Sequence, residues 1–170
     1  MDSVRETVIE MLKDRGYTFK NTTGNFTCNR GKITCLVYFS IEDSIGIKSL
    51  KKLTERMESN GINHTILVYP KTITSSGKAF MEKKTTTIEA FKENDLLVNI
   101  TKHELAPDYH VLSHSEKKQV LVSLKTPENL LPRIQWNDPV ARWFGMRRGD
   151  VLRVNRKSES TGIAVSYRCL

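Results

Sequence analysis

The chain has 170 residues, with 27 Lys plus Arg against 19 Asp plus Glu, a formal net charge of +8. Its 38% apolar and 27% charged residues, 9 Gly and 5 Pro are ordinary for a globular protein and exclude a collagenous, mucin-like or wholly disordered chain. A chain of this length buries roughly two thirds of its unfolded surface, enough for one large domain or two small ones without a disulfide framework.

The longest apolar runs, Cys35 to Phe39 and Ile66 to Tyr69, fall far short of the ~20 residues of a membrane-spanning helix. The opening residues Met1-Asp2-Ser3-Val4-Arg5-Glu6 alternate charge where a secretory signal has a basic patch and an apolar stretch, so an intracellular protein is expected. Cys28, Cys35 and Cys169 show no C-x-x-C spacing, which suits a reducing compartment better than a disulfide scaffold or a zinc ribbon.

A first helix is signalled by capping-box spacing in Ser3-Val4-Arg5-Glu6, by Val4, Val8, Met11 and Leu12 on one face, and by Gly16 as its stop. Tyr17-Thr18-Phe19 and Phe26-Thr27-Cys28 then read as a hairpin around a polar turn, and Ile33 to Phe39 as a buried strand. Ile47, Leu50, Leu53 and Met57 recur at helical spacing up to Asn60-Gly61. His64 to Tyr69 is another strand, and Thr74-Ser75-Ser76 caps a short helix through Met81. Thr85 to Phe91 and Leu96 to Ile100 are read as extended. That alternation defines an α/β layer domain over residues 1–100.

From Thr101 the character changes. Pro107, Pro127, Pro132 and Pro139 cut the chain into short elements. Ser113-His114-Ser115-Glu116 is a second capping box, opening a helix with Val120, Leu121 and Leu124. Asp138-Pro139 starts a short helix that Gly145 ends, and Val151 to Arg156 pairs with Ile163 to Arg168 around Ser158 to Gly162. A boundary near 101 therefore separates the first domain from a small α+β domain over 101–170 with a short mixed sheet, and the fold class is α+β. Residues 1–100 carry 15 basic and 12 acidic side chains, net +3; residues 101–170 carry 12 and 7, net +5.

Catalytic patterns are missing from the sequence. His103, His110 and His114 lie near Glu104 and Asp108, but a cap at Ser113 puts His110 before the helix on which His114 sits, so capping or solvated roles are favoured over a metal site. There is no G-x-S-x-G elbow, Walker A or G-x-G-x-x-G loop. Glu42-Asp43 follows one strand, but Thr65 to Tyr69 supplies no second carboxylate for a metal-dependent nuclease. Arg148-Gly149-Asp150 reads as a turn. No metal, cofactor or small-molecule substrate is expected, and a binding or structural role follows.

The C-terminal motifs narrow this. His103-Glu104-Leu105-Ala106-Pro107-Asp108-Tyr109-His110, Leu131-Pro132-Arg133-Ile134, Asp138 to Gly145, Arg148-Gly149-Asp150-Val151, Arg156-Lys157-Ser158-Glu159 and Tyr167-Arg168 resemble, in order and spacing, the fifth subunit shared by eukaryotic RNA polymerases I, II and III, whose archaeal counterpart lacks the jaw region. Phe91 to Ile100 also fits the point where the jaw domain of the eukaryotic subunit meets its assembly domain.

The resemblance implies a non-catalytic structural subunit of a DNA-directed RNA polymerase, with a jaw-like domain near downstream DNA and an assembly domain docked on the largest subunit. It makes other polymerase subunits the partners, with DNA contacted indirectly or weakly. It makes Arg133, Ile134, Asp138, Pro139, Arg142, Trp143, Arg148, Glu159 and Arg168 candidate interface residues. It places the chain in the nucleus, or in a virion or host cell if the compact jaw marks a copy encoded by a large DNA virus. The alternative, motivated by the charge of +8, is a free-standing basic nucleic-acid-binding module.

Overall fold

The computed structural model describes residues 2–19, 22–83, 87–158 and 162–170. Contacts divide the chain into two units, Met1–Val98 and Asn99–Leu170, each with its own sheet.

The first unit runs α1 (Asp2–Asp14), β1 (Phe26–Arg30), β2 (Ile33–Phe39), β3 (Ser44–Ile45), α2 (Ile47–Ser59), β4 (His64–Tyr69), β5 (Thr72–Ile73), α3 (Ser75–Lys83), β6 (Thr87–Lys92) and a 3-10 turn at Glu93–Leu96. Its main sheet has the order β1-β2-β4-β6. The β1–β2 pair is antiparallel, whereas β2–β4 and β4–β6 are parallel, in register Cys35↔His64 and His64↔Thr87. Parallel neighbours need a crossover, which α2 and α3 supply, and β3 and β5 form a small parallel pair beside them.

Strand β4 is buried along nearly its whole length, so the sheet is covered on both faces. On one, Leu50, Leu53 and Met57 of α2 pack with Ile45, Ile62, Leu67 and Ile73 against Leu36, Tyr38, Ile88 and Ala90. On the other, Cys35, Val37, Ile66, Val68 and Phe91 are buried, as are Val4, Val8, Met11 and Leu12 of α1. Arg5 lies over the Phe39 ring at 5.0 Å and Arg15 over the Phe91 ring at 5.9 Å, holding both ends of α1 to this face.

Helix α1 ends as the sequence indicates. Gly16 sits at φ +76, and Gly16 N–H and Tyr17 N–H donate to the carbonyls of Lys13 and Leu12, the Schellman arrangement. Its start differs by a residue or two: the helix already includes Asp2 and Ser3, so Ser3 is not a cap and its carbonyl accepts the Thr7 hydroxyl at 3.0 Å. The hairpin also differs. It joins β1 to β2 through Gly31-Lys32, with Gly31 at φ +59, while Tyr17 to Phe19 contributes a single bridge, Thr18↔Asn29. A two-residue loop with glycine first matches the twist of the strands it joins, and that glycine was the better signal. Leu96 to Ile100 is not extended. It holds the end of one 3-10 turn and the start of another, Ile100–Lys102, capped by Asn99 through Thr101 N–H, because Asn and Asp side chains offer the backbone local partners that compete with a strand.

Two polar details sit inside this unit. Arg15 Nη2 donates to Glu89 Oε2 at 2.7 Å, and His64 Nε2 meets Glu89 Oε1 at 2.7 Å. A carboxylate only accepts, so His64 Nε2 carries hydrogen and its Nδ1, 3.3 Å from Tyr17 Oη, accepts the hydroxyl proton when the ring is neutral. Burial opposes the charge on Glu89, but the His64 hydrogen bond and the Arg15 guanidinium outweigh it and hold the carboxyl down at about 2. The other detail is Thr65 Oγ1, which is buried with no hydrogen-bond partner among the described residues.

The second unit runs from the 3-10 turn Ile100–Lys102 through β7 (Asp108–Val111), α4 (His114–Leu124), a 3-10 turn at Glu128–Leu130, α5 (Pro139–Trp143), β8 (Val151–Ser158) and β9 (Gly162–Cys169). Its sheet is antiparallel in the order β7-β8-β9, and Arg133 adds a parallel bridge to Cys169, which makes that edge mixed. β7 escaped the sequence reading because Asp108-Tyr109-His110-Val111 is too short and polar to show a period. One face buries Leu112, Leu131, Val151 and Cys169 beneath Val120 and Leu121 of α4. The opposite face buries Leu152 and Val154 with Ile134 and with Ala141 of α5. Both arms of the second capping box form, Ser113 Oγ accepting from Glu116 N–H and Glu116 Oε2 from Ser113 N–H.

Two outcomes follow for this fold. Thr65→Val removes an unpaired buried hydroxyl at nearly constant volume and raises unfolding free energy by about 1 kcal/mol in urea titration. Glu89→Gln strands the Arg15 cation and costs about 3 kcal/mol at neutral pH. Because the folded-state value of about 2 lies below the ordinary 4.5, the stability Glu89 lends is complete above that ordinary value and is lost as pH falls toward 2. Urea midpoints measured from pH 6 to pH 2 are therefore expected to fall less steeply in Glu89→Gln than in the parent.

Candidate partner interface

The candidate interface residues lie on the second unit. Asp138 is the N-cap of α5: its Oδ1 accepts Val140 N–H at 2.8 Å, its carbonyl accepts Arg142 N–H, and Pro139 fills the first helical position. The helix lasts little more than one turn, since Gly145 at φ +59 turns the chain away. Its short length suffices to bury Trp143 to 3% exposure and to leave Arg142 half-buried.

The chain then reverses over Arg147 to Asp150. Asp150 Oδ2 accepts Arg147 N–H at 2.7 Å, and Gly149 takes φ +91. A Cβ at Gly149 would lie 3.3 Å from Glu128 Oε1, because Glu128 is drawn in to meet Lys117. Lys117 Nζ donates to Glu128 Oε2 at 2.6 Å and to Gly149 O at 2.7 Å, and Cys169 Sγ faces Glu128 Oε1 at 3.5 Å. The Lys117 hydrogen bond holds the Glu128 carboxyl below its usual range, while burial raises the Cys169 thiol. This clasp ties α4, the 3-10 turn at Glu128, the Arg147 reversal and the end of β9 together.

Three arginines have their backbone positions near that end of the sheet. Arg133 is exposed beside its bridge to Cys169, Arg168 is half-buried across from Leu152, and Arg148 is exposed just before Gly149, whose N–H donates to Leu170 O. Ile134, 8% exposed, belongs with Trp143 to the interior of the unit, not its surface. Glu159 lies outside the described residues.

His103 and His110 serve local geometry. His103 Nδ1 accepts Leu105 N–H at 3.2 Å, and His110 Nε2 lies 3.5 Å from Glu116 Oε1 of the capping box. Among the described residues no group of three or more His, Cys, Asp or Glu is placed to hold a metal ion, and no helix is long and apolar enough to cross a membrane.

Sequence reasoning missed the most exposed apolar side chains here. Trp136 is 79% exposed, and Leu105, Leu130 and Val122 are also open to solvent. The available signal was a tryptophan between Gln135 and Asn137, in an irregular stretch with no periodic apolar partner. A large aromatic kept in water is a common anchor of protein interfaces.

Residues 98–170 match the family model for the C-terminal domain of RNA polymerase Rpb5. Over nearly the whole chain, the relatives are subunits of DNA-directed RNA polymerases. The RPABC1 subunit of RNA polymerases I, II and III from Caenorhabditis briggsae is 35% identical over 195 aligned residues, covering 97% of this chain and 92% of that protein. Its Dictyostelium discoideum counterpart is also 35% identical, covering 97% of this chain and 94% of that protein. The Caenorhabditis elegans subunit aligns with the same 35% identity, 97% and 92%. The chain belongs to the Rpb5 family. A crystal structure of a protein of unknown function aligns with 83% of this chain and 78% of its own at 14% identity and a TM-score of 0.39, too weak a likeness to bear on the fold.

The cap at α5 is separable from any partner. Asp138→Ala is expected to destabilise the chain by about 1 kcal/mol, with Asp138→Asn restoring most of the loss. Urea unfolding of the free chain reads this directly.

Proposed function

We propose that this chain is the fifth subunit of a multisubunit DNA-directed RNA polymerase: a non-catalytic component whose second unit docks on the largest subunit and whose first unit forms part of the jaw around downstream DNA. The observation that carries the reading is alignment at 35% identity over 97% of the chain with subunits shared by polymerases I, II and III. In a eukaryotic cell this places it in the nucleus. The free-standing nucleic-acid module is set aside, because a net charge of +8 predicts affinity for polyanions in general and specifies no partner.

The chemistry supports a docking role for the second unit. Arg133, Arg148 and Arg168 present planar guanidinium groups around the end of β9, suited to carboxylates of a partner. Asp138 and Pro139 start α5, the buried Ile134 and Trp143 anchor it and its flanking loops, and half-buried Arg142 lies on it. Glu159 is proposed as a further polar contact. Trp136 supplies an apolar anchor at the surface.

Tagged chain expressed in its native cell is expected to co-purify with the largest polymerase subunit in one-to-one ratio; its absence from the polymerase overturns the assignment. Trp136→Ala is expected to leave the melting temperature of the free chain unchanged and to weaken assembly by about tenfold or more. Quantitative mass spectrometry of the purified polymerase measures the loss.

A further inference from the structure

β9 is paired on one side along its whole length and, among the described residues, on the other only at its end. Cys169 N–H donates to Pro132 O at 2.8 Å and Cys169 O accepts Ile134 N–H at 2.9 Å, so the backbone groups of Cys169 point away from β8. Peptide groups alternate along a strand. Tyr167, Val165 and Ile163 therefore also turn their N–H and C=O outward. Among the described residues nothing bridges Gly162 to Ser166 on that side.

The side chains continue the same theme. Ile163, Val165, Tyr167 and Cys169 share one face. Cys169 is buried and Tyr167 packs against the α4 cluster, but Ile163 is 66% and Val165 44% exposed. The apolar stripe thus runs past the helix that covers its first half. Exposed edges are usually protected by charge, proline or a bulge on the strand itself. Gly162-Ile163-Ala164-Val165-Ser166 has none of these.

Charge selects what fits. β8 and β9 carry Arg153, Arg156, Lys157 and Arg168 and no carboxylate. Lys157 lies opposite Ile163 and Arg156 opposite Ala164, and both are exposed.

We infer that the open half of β9 receives an extended segment of another polymerase subunit as an added strand, one that alternates apolar and acidic residues. Main-chain hydrogen bonds to Ile163 and Val165 give the affinity, apolar side chains cover Ile163 and Val165 on one face, and the carboxylates fall on the opposite face of the sheet, the one that carries Arg156 and Arg168. This rests on the polymerase reading and specifies how docking occurs.

The test uses the full chain in its native polymerase. Val165→Pro deletes an outward N–H without touching the β8 ladder, whereas Val165→Thr keeps that N–H. Val165→Pro is expected to fold as the parent does by circular dichroism and to lose assembly by about tenfold, with Val165→Thr retaining most of it. The charge reversal Arg156→Glu is expected to weaken assembly by about threefold or more. In the wild type, hydrogen exchange at the Ile163 and Val165 amides is expected to slow strongly between the free and the assembled chain. That readout holds even if Val165→Pro fails to fold.

Undiminished assembly of folded Val165→Pro, or unchanged exchange at the two amides, overturns the added strand while leaving polymerase membership intact. Undiminished assembly of the charge-reversed chain overturns the acidic partner. Protection of the same amides in concentrated free chain overturns it in favour of a second copy. Failure of the wild type to enter the polymerase overturns this proposal and the functional reading together.

Discussion

A strand buried on both faces gives its polar groups nowhere to go but each other, and the first unit is organised by how β4 meets that constraint. Parallel pairing on each side obliges the chain to cross over twice, which sets α2 and α3 on one face and leaves the other to α1. His64 opens β4 largely buried, and its two ring nitrogens are both met, one by Glu89 and one by Tyr17. Glu89 in turn needs a cation, and the end of α1 delivers Arg15 to it. Thr65, the next residue, finds no such answer among the described residues. The polar cluster thereby fixes α1 on the sheet in one position, where apolar packing alone would tolerate small slides.

The second unit has the opposite character. Its sheet begins as a core, with Val151 and Cys169 wholly buried, and ends as a surface, with Lys157 and Ile163 in water. One end is closed by the Lys117–Glu128 clasp and the Arg133 bridge. At the other, no described residue bridges the outer side of β9 from Gly162 to Ser166. The two ends of this hairpin therefore differ in how their side chains are satisfied, one within the unit and one by solvent.

Much of this was legible in the sequence where the signal was periodic or a cap. The stripe on α1, the run Leu50, Leu53, Met57 on α2, the capping box at Ser113 and the Asp138-Pro139 start all appear as read. What was lost had no period. β7 is four residues long, and the β1–β2 turn depended on recognising Gly31 as its centre, which the Asn/Thr-rich stretch before it obscured. The ordered motifs pointed to the right family, yet motif residues do not announce their depth: Trp143 and Ile134 turn inward while Trp136, unnoticed, faces solvent. Exposure is a tertiary property, and a single sequence carries it only through patterns longer than these loops provide.

The placement of Cys28 and Cys35 has a practical consequence. They are direct partners across the β1–β2 ladder, and neither has any surface exposed. Strand β1 is the outer strand of the sheet on that side, and both sulfurs lie on the face that α1 covers, so a thiol reagent reaches them only when the hairpin or α1 opens or the unit unfolds. The rate of their labelling is thus a natural clock for the opening of the first unit on its α1 face, and it requires no introduced probe.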